Sequence, residues 1–144
     1  MDDRRKILIL CTGNSARSQM AEGLLRDKGG NLIEAASAGV APTRVRPEAI
    51  LAMKEIGIDI SNHRSKSVDE LITQSFDYVI TVCDSANELC PAFPGRCRRI
   101  HWSIDDPAAV SGDGQKVMGA FRRARDELSE RLDRFIETEM NLVG

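Results

Sequence analysis

Along the chain, short runs of consecutive apolar residues alternate with stretches in which apolar positions recur every three or four residues. That alternation predicts an α/β domain built around a parallel sheet. Lys6 to Cys11 is almost wholly aliphatic and ends in a Gly-containing turn, which predicts a buried first strand. Arg17 to Lys28 predicts a helix, with Met20, Ala21, Leu24 and Leu25 on one face and Gly29-Gly30 to stop it. A second strand is expected within Ile33 to Ala38. A second helix is expected over Pro47 to Ile56, with Pro at its start and Gly57 just past its end. Asp77 to Val82, rich in β-formers, predicts a third strand, and Arg99 to Trp102 a fourth. Val117, Phe121, Ala124, Leu128, Leu132 and Phe135 form one apolar stripe and predict the final helix. Loops after the first, third and fourth strands then share the carboxyl edge of the sheet, where open α/β folds place ligands. No repeat, low-complexity tract or linker divides the sequence, so residues 1–144 are expected to form one domain.

Charge and composition narrow the partners. The chain has 144 residues, with 20 Lys and Arg against 22 Asp and Glu, a net charge of −2. This balance argues against nucleic acid as a general partner. The longest aliphatic run, Ile7 to Leu10, falls far short of the roughly 20 residues of a membrane span. Met1-Asp2-Asp3-Arg4-Arg5-Lys6 leads into no secretory apolar segment. A cytoplasmic protein is expected, away from membranes, in a compartment that keeps thiols reduced. Against that background the four cysteines, Cys11, Cys83, Cys90 and Cys97, draw attention.

The segment Cys11-Thr12-Gly13-Asn14-Ser15-Ala16-Arg17-Ser18 joins the first strand to the first helix. Such a loop aims backbone N–H groups at one point, where the helix dipole adds positive charge. Gly13 permits close approach, and Arg17 offers a planar fork that matches a tetrahedral oxyanion. The expected ligand of residues Thr12, Gly13, Asn14, Ser15, Ala16 and Arg17 is a phosphate-type dianion. A helix N-terminus and a nearby Arg lower a cysteine pKa from about 8.5 into the range of about 3.5–7.5. Cys11 is therefore expected to be a thiolate facing an anion that it can attack. Ser18 can donate to that thiolate or cap the helix, and Asn14 can pin the loop. The loop lacks the G-x-x-x-x-G-K-[ST] pattern of a nucleotide P-loop.

With these residues in view, the chain resembles the low-molecular-weight protein tyrosine phosphatase superfamily, and within it the thioredoxin-coupled arsenate reductases. The resemblance rests on Cys-x5-Arg-Ser at 11–18, and extends through Ser37-Ala38-Gly39, Ile60-Ser61-Asn62-His63 and Asp105-Asp106-Pro107. It implies a three-layer fold, a four-stranded parallel sheet flanked by helices, and a monomer. Loss of an oxygen from arsenate needs a proton, and the resemblance gives that role to Asp106; read alone, Asp-Pro is equally a turn or cap. Ala108 and Ala109 stand where the phosphatases carry aromatic residues that grip the substrate ring. The only tyrosine, Tyr78, falls in a strand expected to be buried.

Cys83-x6-Cys90-Pro91 matches the redox pair of those reductases. The resemblance implies a relay in which Cys11 attacks arsenate, Cys83 attacks Cys11 to release arsenite, and Cys90 attacks Cys83, leaving a disulfide for thioredoxin to reduce. No cofactor or metal is called for. Other readings are a phosphatase acting on small phosphoesters, and a non-catalytic oxyanion-binding or phosphocarrier module. Glutaredoxin or small thiols are alternative electron donors. Cys83, Cys90, Cys97 and His101 lack the close cysteine knuckles usual in structural zinc sites. Cys97 is read as a partly exposed bystander, and His63 and His101 as structural. Some related reductases hold potassium with residues matching Asn14, Glu22 and Ser37. Their further acidic ligand falls at Lys66, whose ammonium is expected to take the cation position and pair with Glu22.

Overall fold

The computed structural model describes residues 4–140. Met1 to Asp3 of the amino-terminal stretch read above, and residues 141–144, lie outside the described residues. Eight elements follow in order: β1 (Arg5–Cys11), α1 (Arg17–Gly29), β2 (Ile33–Gly39), α2 (Pro47–Lys54), β3 (Tyr78–Thr81), α3 (Asp84–Leu89), β4 (Arg98–His101) and α4 (Gly114–Phe135), which runs on into one π turn over Ile136–Met140. The four strands form a parallel sheet in the order β2-β1-β3-β4. This is the sheet that both the apolar runs and the resemblance predict.

Register brings the functional residues to one edge. Cys11 pairs with Gly39, Leu10 with Thr81, and Thr81 with His101, so all four strands end together. The predicted strand limits also agree with the backbone bonding at the ends. Asp77 N donates to Lys6 O, Val82 N to Leu10 O and Trp102 N to Thr81 O, continuing the ladders beyond the strands proper.

The core forms where the pattern placed it. Ile7, Leu8, Ile9 and Leu10 are fully buried in the central strand, and Phe121, Leu128 and Leu132 of the α4 stripe are buried in the same core. Each such side chain contributes about 1.5–3 kcal/mol on burial. Tyr78 is half-buried and meets Phe135 edge-on at 5.0 Å between ring centroids. No helix among the described residues is long and apolar enough to cross a membrane.

Two local differences have clear causes. The second helix ends at Lys54 instead of Ile56, because Gly57 at φ +79° closes a turn onto Lys54 O and leaves Ile56 exposed. In α1, Ser18, Gln19 and Glu22 are buried alongside the predicted apolar face. Their burial belongs to the site that the helix supports.

Candidate active site

The loop between β1 and α1 is clamped along one side. Val40 N donates to Cys11 O, Ala41 N to Thr12 O, Thr43 N to Gly13 O and Arg46 N to Ser15 O. With these carbonyls turned toward the strap at 40–46, the opposite faces of the peptide planes are left to present N–H groups. Gly39 makes this approach possible, since a Cβ there would stand 2.6 Å from Thr12 O and 2.9 Å from Asn14 N. Helix α1 adds a second favourable field. Ala16 at its N-cap supplies no capping side chain, and no acidic residue lies in its first turn, so its amino-terminal dipole is left uncompensated.

Asn14 pins the loop from within. It is fully buried at φ +49°, a left-handed conformation that Asn tolerates better than most residues. Its Nδ2 donates to Ser18 Oγ at 2.8 Å and Ser37 Oγ at 2.9 Å, while its Oδ1 accepts from Lys66 N at 3.0 Å. Its carbonyl accepts from Gln19 Nε2 and Ser65 Oγ. Gln19 in turn meets His63 Nδ1 at 2.9 Å. Sequence reading passed over Gln19 and Ser65; the one local sign was a polar side chain among the apolar positions of α1.

Cys11 sits buried at the loop's mouth, and its pKa is held well below the ordinary thiol value. The largest cause is a hydrogen bond from the Cys83 thiol; burial opposes it, and the Ser18 hydroxyl, the Arg17 charge and the Ser18 N–H reinforce it. Cys83 shows the other half of the same contact. Donating to the Cys11 sulfur, and then burial, push its own pKa far up. Thr12 Oγ1 lies 3.1 Å from Cys83 Sγ, and Ala86 N donates to that sulfur at 3.4 Å. The two neighbouring thiols are thereby driven in opposite directions, Cys11 toward the thiolate and Cys83 toward the protonated form.

Arg17 reaches across the edge of the sheet. Its Nη1 donates to Ile104 O at 2.8 Å, and its Nη2 stands 3.8 Å from Asp106 Oδ2. Asp106 does cap a turn. Its Oδ1 accepts from Ala108 N and caps the short turn Pro107–Ala109, leaving Oδ2 toward Arg17.

Helix α3 separates the remaining thiols. Cys83 is its N-cap and Cys90 its C-cap, and Cys90 is half-buried, which raises its pKa. Cys97, just ahead of β4, is also half-buried and protonated more firmly than an ordinary thiol. Among the described residues, no three His, Cys, Asp or Glu side chains converge as a metal-ligand group. His101 is committed elsewhere, to Thr81 Oγ1 at 2.7 Å and Asp84 Oδ1 at 3.0 Å.

The residues matching a potassium site do not fit that ion. Ser37 Oγ donates to Glu22 Oε1 at 2.6 Å and accepts from Asn14, whose Oδ1 is taken by Lys66 N. Lys66 Nζ donates to the backbone oxygens of Ser37 at 2.9 Å and Arg64 at 3.5 Å, so a side-chain cation lies beside this cluster. The expected direct pairing of Lys66 with Glu22 is corrected. Glu22 Oε2 pairs with Arg26 at 2.5 Å, because Arg26 lies one turn along the same helix, and Lys66 feels Glu22 only through the longer-range field.

The sequence profile described as low molecular weight phosphotyrosine protein phosphatase matches residues 6–141. An arsenate reductase of Halalkalibacterium halodurans is 45% identical over 136 residues, 94% of this chain and 98% of that one. A solved arsenate reductase in the phosphate-binding state superposes with a TM-score of 0.78 at 32% identity, covering 92% of this chain and 97% of its own. A thioredoxin-dependent arsenate reductase of Corynebacterium glutamicum superposes with a TM-score of 0.65 at 27% identity, covering 90% of this chain and 62% of that one.

Proposed function

The chain belongs to the low-molecular-weight phosphotyrosine protein phosphatase family, and from that premise we propose that it is an arsenate reductase using three cysteines in sequence, regenerated by thioredoxin. The observation that carries this reading is that strand register brings Cys83, which follows β3, to the edge where Cys11 ends β1, with Thr12 Oγ1 of the anion loop 3.1 Å from the Cys83 sulfur. A hydrolytic phosphatase needs a nucleophile, an oxyanion cradle and an acid. It has no use for a second thiol against the first and a third at the far end of a short helix.

Arsenate binds to the amides of the 12–17 loop and to the Arg17 fork. The Cys11 thiolate attacks arsenic, an S–As bond forms, and an As–O bond breaks. Asp106 Oδ2 supplies the proton that lets the oxygen leave as water. Ser18 steadies the thiolate before attack. The adduct also removes the negative sulfur that held the Cys83 proton, so Cys83 ionises when its turn comes. It attacks Cys11 Sγ, forming the Cys11–Cys83 disulfide, and the S–As electron pair stays on arsenic as arsenite. Two thiols have then supplied the two electrons of As(V) reduction.

Cys90 next attacks Cys83, and Cys11 departs as a thiolate. Seven residues at the 1.5 Å helical rise separate the two Cα atoms by about 10 Å. A disulfide needs about 4.4–6.8 Å. Helix α3 therefore unwinds during turnover, and the Cys83–Cys90 disulfide is what thioredoxin reduces, in a cytoplasm that keeps thiols reduced. The reading needs one copy of the chain, since all three thiols lie on it.

Arsenate-dependent NADPH consumption with thioredoxin and its reductase tests the proposal. Cys11→Ser, Cys83→Ser and Cys90→Ser should each abolish it. Retained turnover in Cys83→Ser and Cys90→Ser would overturn the relay; phosphoester hydrolysis needing only Cys11 would instead identify a phosphatase, and a stable phosphocysteine without turnover a carrier.

A further inference from the structure

The network around His101 lies outside the three-thiol chemistry, yet it grips the element that this chemistry must unwind. Thr81 and His101 are register partners at the ends of β3 and β4. Thr81 Oγ1 meets His101 Nδ1 at 2.7 Å, and His101 Nε2 meets Asp84 Oδ1 at 3.0 Å. A carboxylate only accepts, so Nε2 carries the proton toward Asp84, and the Thr81 hydroxyl completes the chain at Nδ1. Ser103 Oγ approaches the same Asp84 oxygen at 3.5 Å. Asp84 is the first residue of α3 and directly follows Cys83.

A helix of six residues does not hold itself in water, because nucleation costs more than so few hydrogen bonds return. Helix α3 is therefore held from outside, and its holds are concentrated at one end. There, Cys83 Sγ accepts Ala86 N, Ala86 is fully buried, and Asp84 is tied to both strand ends through His101. At the other end Leu89 is 63% exposed and Cys90 has left the helix for extended backbone. Once Cys83 enters a disulfide, its sulfur becomes a poorer acceptor for Ala86 N. The Asp84–His101–Thr81 chain is then the main polar hold on the first turn.

We propose that Thr81, His101 and Asp84 form a latch that keeps α3 helical, favours the reduced dithiol over the Cys83–Cys90 disulfide, and so limits how readily the last intramolecular exchange proceeds. The inference rests on the relay proposed above. His101 acts as a positioning residue, through Asp84, and touches neither arsenate nor a reacting sulfur. The exchange itself balances without the latch. Cys90 gives up its proton and bonds to Cys83, and in equilibrium with glutathione two protein thiols and one glutathione disulfide become one protein disulfide and two glutathione thiols.

The test is the equilibrium of that reaction at one fixed pH in the Cys11→Ser, Cys97→Ser protein, which leaves only the Cys83–Cys90 pair. The bridged peptide is counted by mass spectrometry after acid quench and alkylation, across a series of glutathione ratios. Losing one hydrogen bond from the latch should raise the equilibrium constant for disulfide formation about 5- to 10-fold in Asp84→Ala and in His101→Asn. Asp84 is 76% exposed on its side chain, so the first variant keeps its fold. Ser103→Ala, which removes only the 3.5 Å contact, should shift it less. A constant unchanged in both latch variants, or shifted toward the dithiol, overturns the latch and leaves the relay standing. Failure of the 83–90 disulfide to form in any variant overturns the relay itself.

Discussion

Thr12 Oγ1 lies 3.1 Å from Cys83 Sγ, joining the oxyanion loop after β1 to the thiol that follows β3. The contact spans 71 positions of sequence and opposes the burial and the Cys11 bond that keep the Cys83 proton on. One hydroxyl thus belongs to the anion cradle and to the second thiol at once.

Thr12→Val should therefore slow the step in which Cys83 attacks. The side chain keeps its shape and loses one hydrogen bond, worth about 0.5–1.5 kcal/mol. Arsenate turnover should fall about 2- to 10-fold, and single-turnover quenching should show the Cys11–Cys83 disulfide arriving late. Equal rates in both proteins would deny Thr12 this role.

The depressed pKa of Cys11 sets a pH window. A thiol of ordinary pKa, about 8.5, loses reactivity tenfold per pH unit below that value. With its pKa held well below that value, Cys11 should keep its charge where an ordinary thiol loses it, and iodoacetamide labelling of its peptide should hold level from pH 8.5 down through pH 7. Its contribution to stability has the matching sign: present above the unfolded thiol's pKa, and lost as pH falls through the folded one. A labelling profile that declines steadily below pH 8.5 would contradict the assignment.

Asn14→Ala should be costly. The change removes the donors to Ser18 and Ser37 and the acceptor of Lys66 N in a fully buried site, and asks alanine to hold φ +49°. Unmet buried partners cost about 1–3 kcal/mol each, so a total loss of about 3 kcal/mol is expected in urea unfolding, together with weaker phosphate binding. A loss below about 1 kcal/mol would show that the strap at 40–46 holds the loop alone.

Lys66 Nζ donates to Ser37 O, beside the side chains that match a potassium site in related reductases. The protein should turn over equally in potassium and sodium chloride at matched ionic strength. Lys66→Ala should be slower, and potassium should then restore rate more than sodium does. Potassium stimulation of the unaltered protein that survives in Lys66→Ala would remove lysine from this position.

Much of the architecture is local and could be read locally. The aliphatic run at 7–10, the α4 stripe and the Gly-bearing loop after Cys11 each encode their structure within a few neighbours. What escaped was relational. Gln19 looks like an ordinary polar helix position until the loop and the 63–66 segment close over it and use its hydrogen bonds. His101 had no partner in sequence because its partners arrive from β3 and α3, and only strand order brings them together. The 84–89 segment is helical because Cys83 and Asp84 are held from other elements, since its own propensity is too weak to decide the matter.

The central claim is that three sulfurs act in order, and trapping the intermediate tests it most directly. Cys90→Ser mixed with one equivalent of arsenate, quenched in acid, alkylated and mapped, should accumulate a Cys11–Cys83 disulfide and one equivalent of arsenite, while the unaltered protein yields Cys83–Cys90. Arsenite released with no Cys11–Cys83 bridge in that variant, or no arsenite from either protein, would contradict the account.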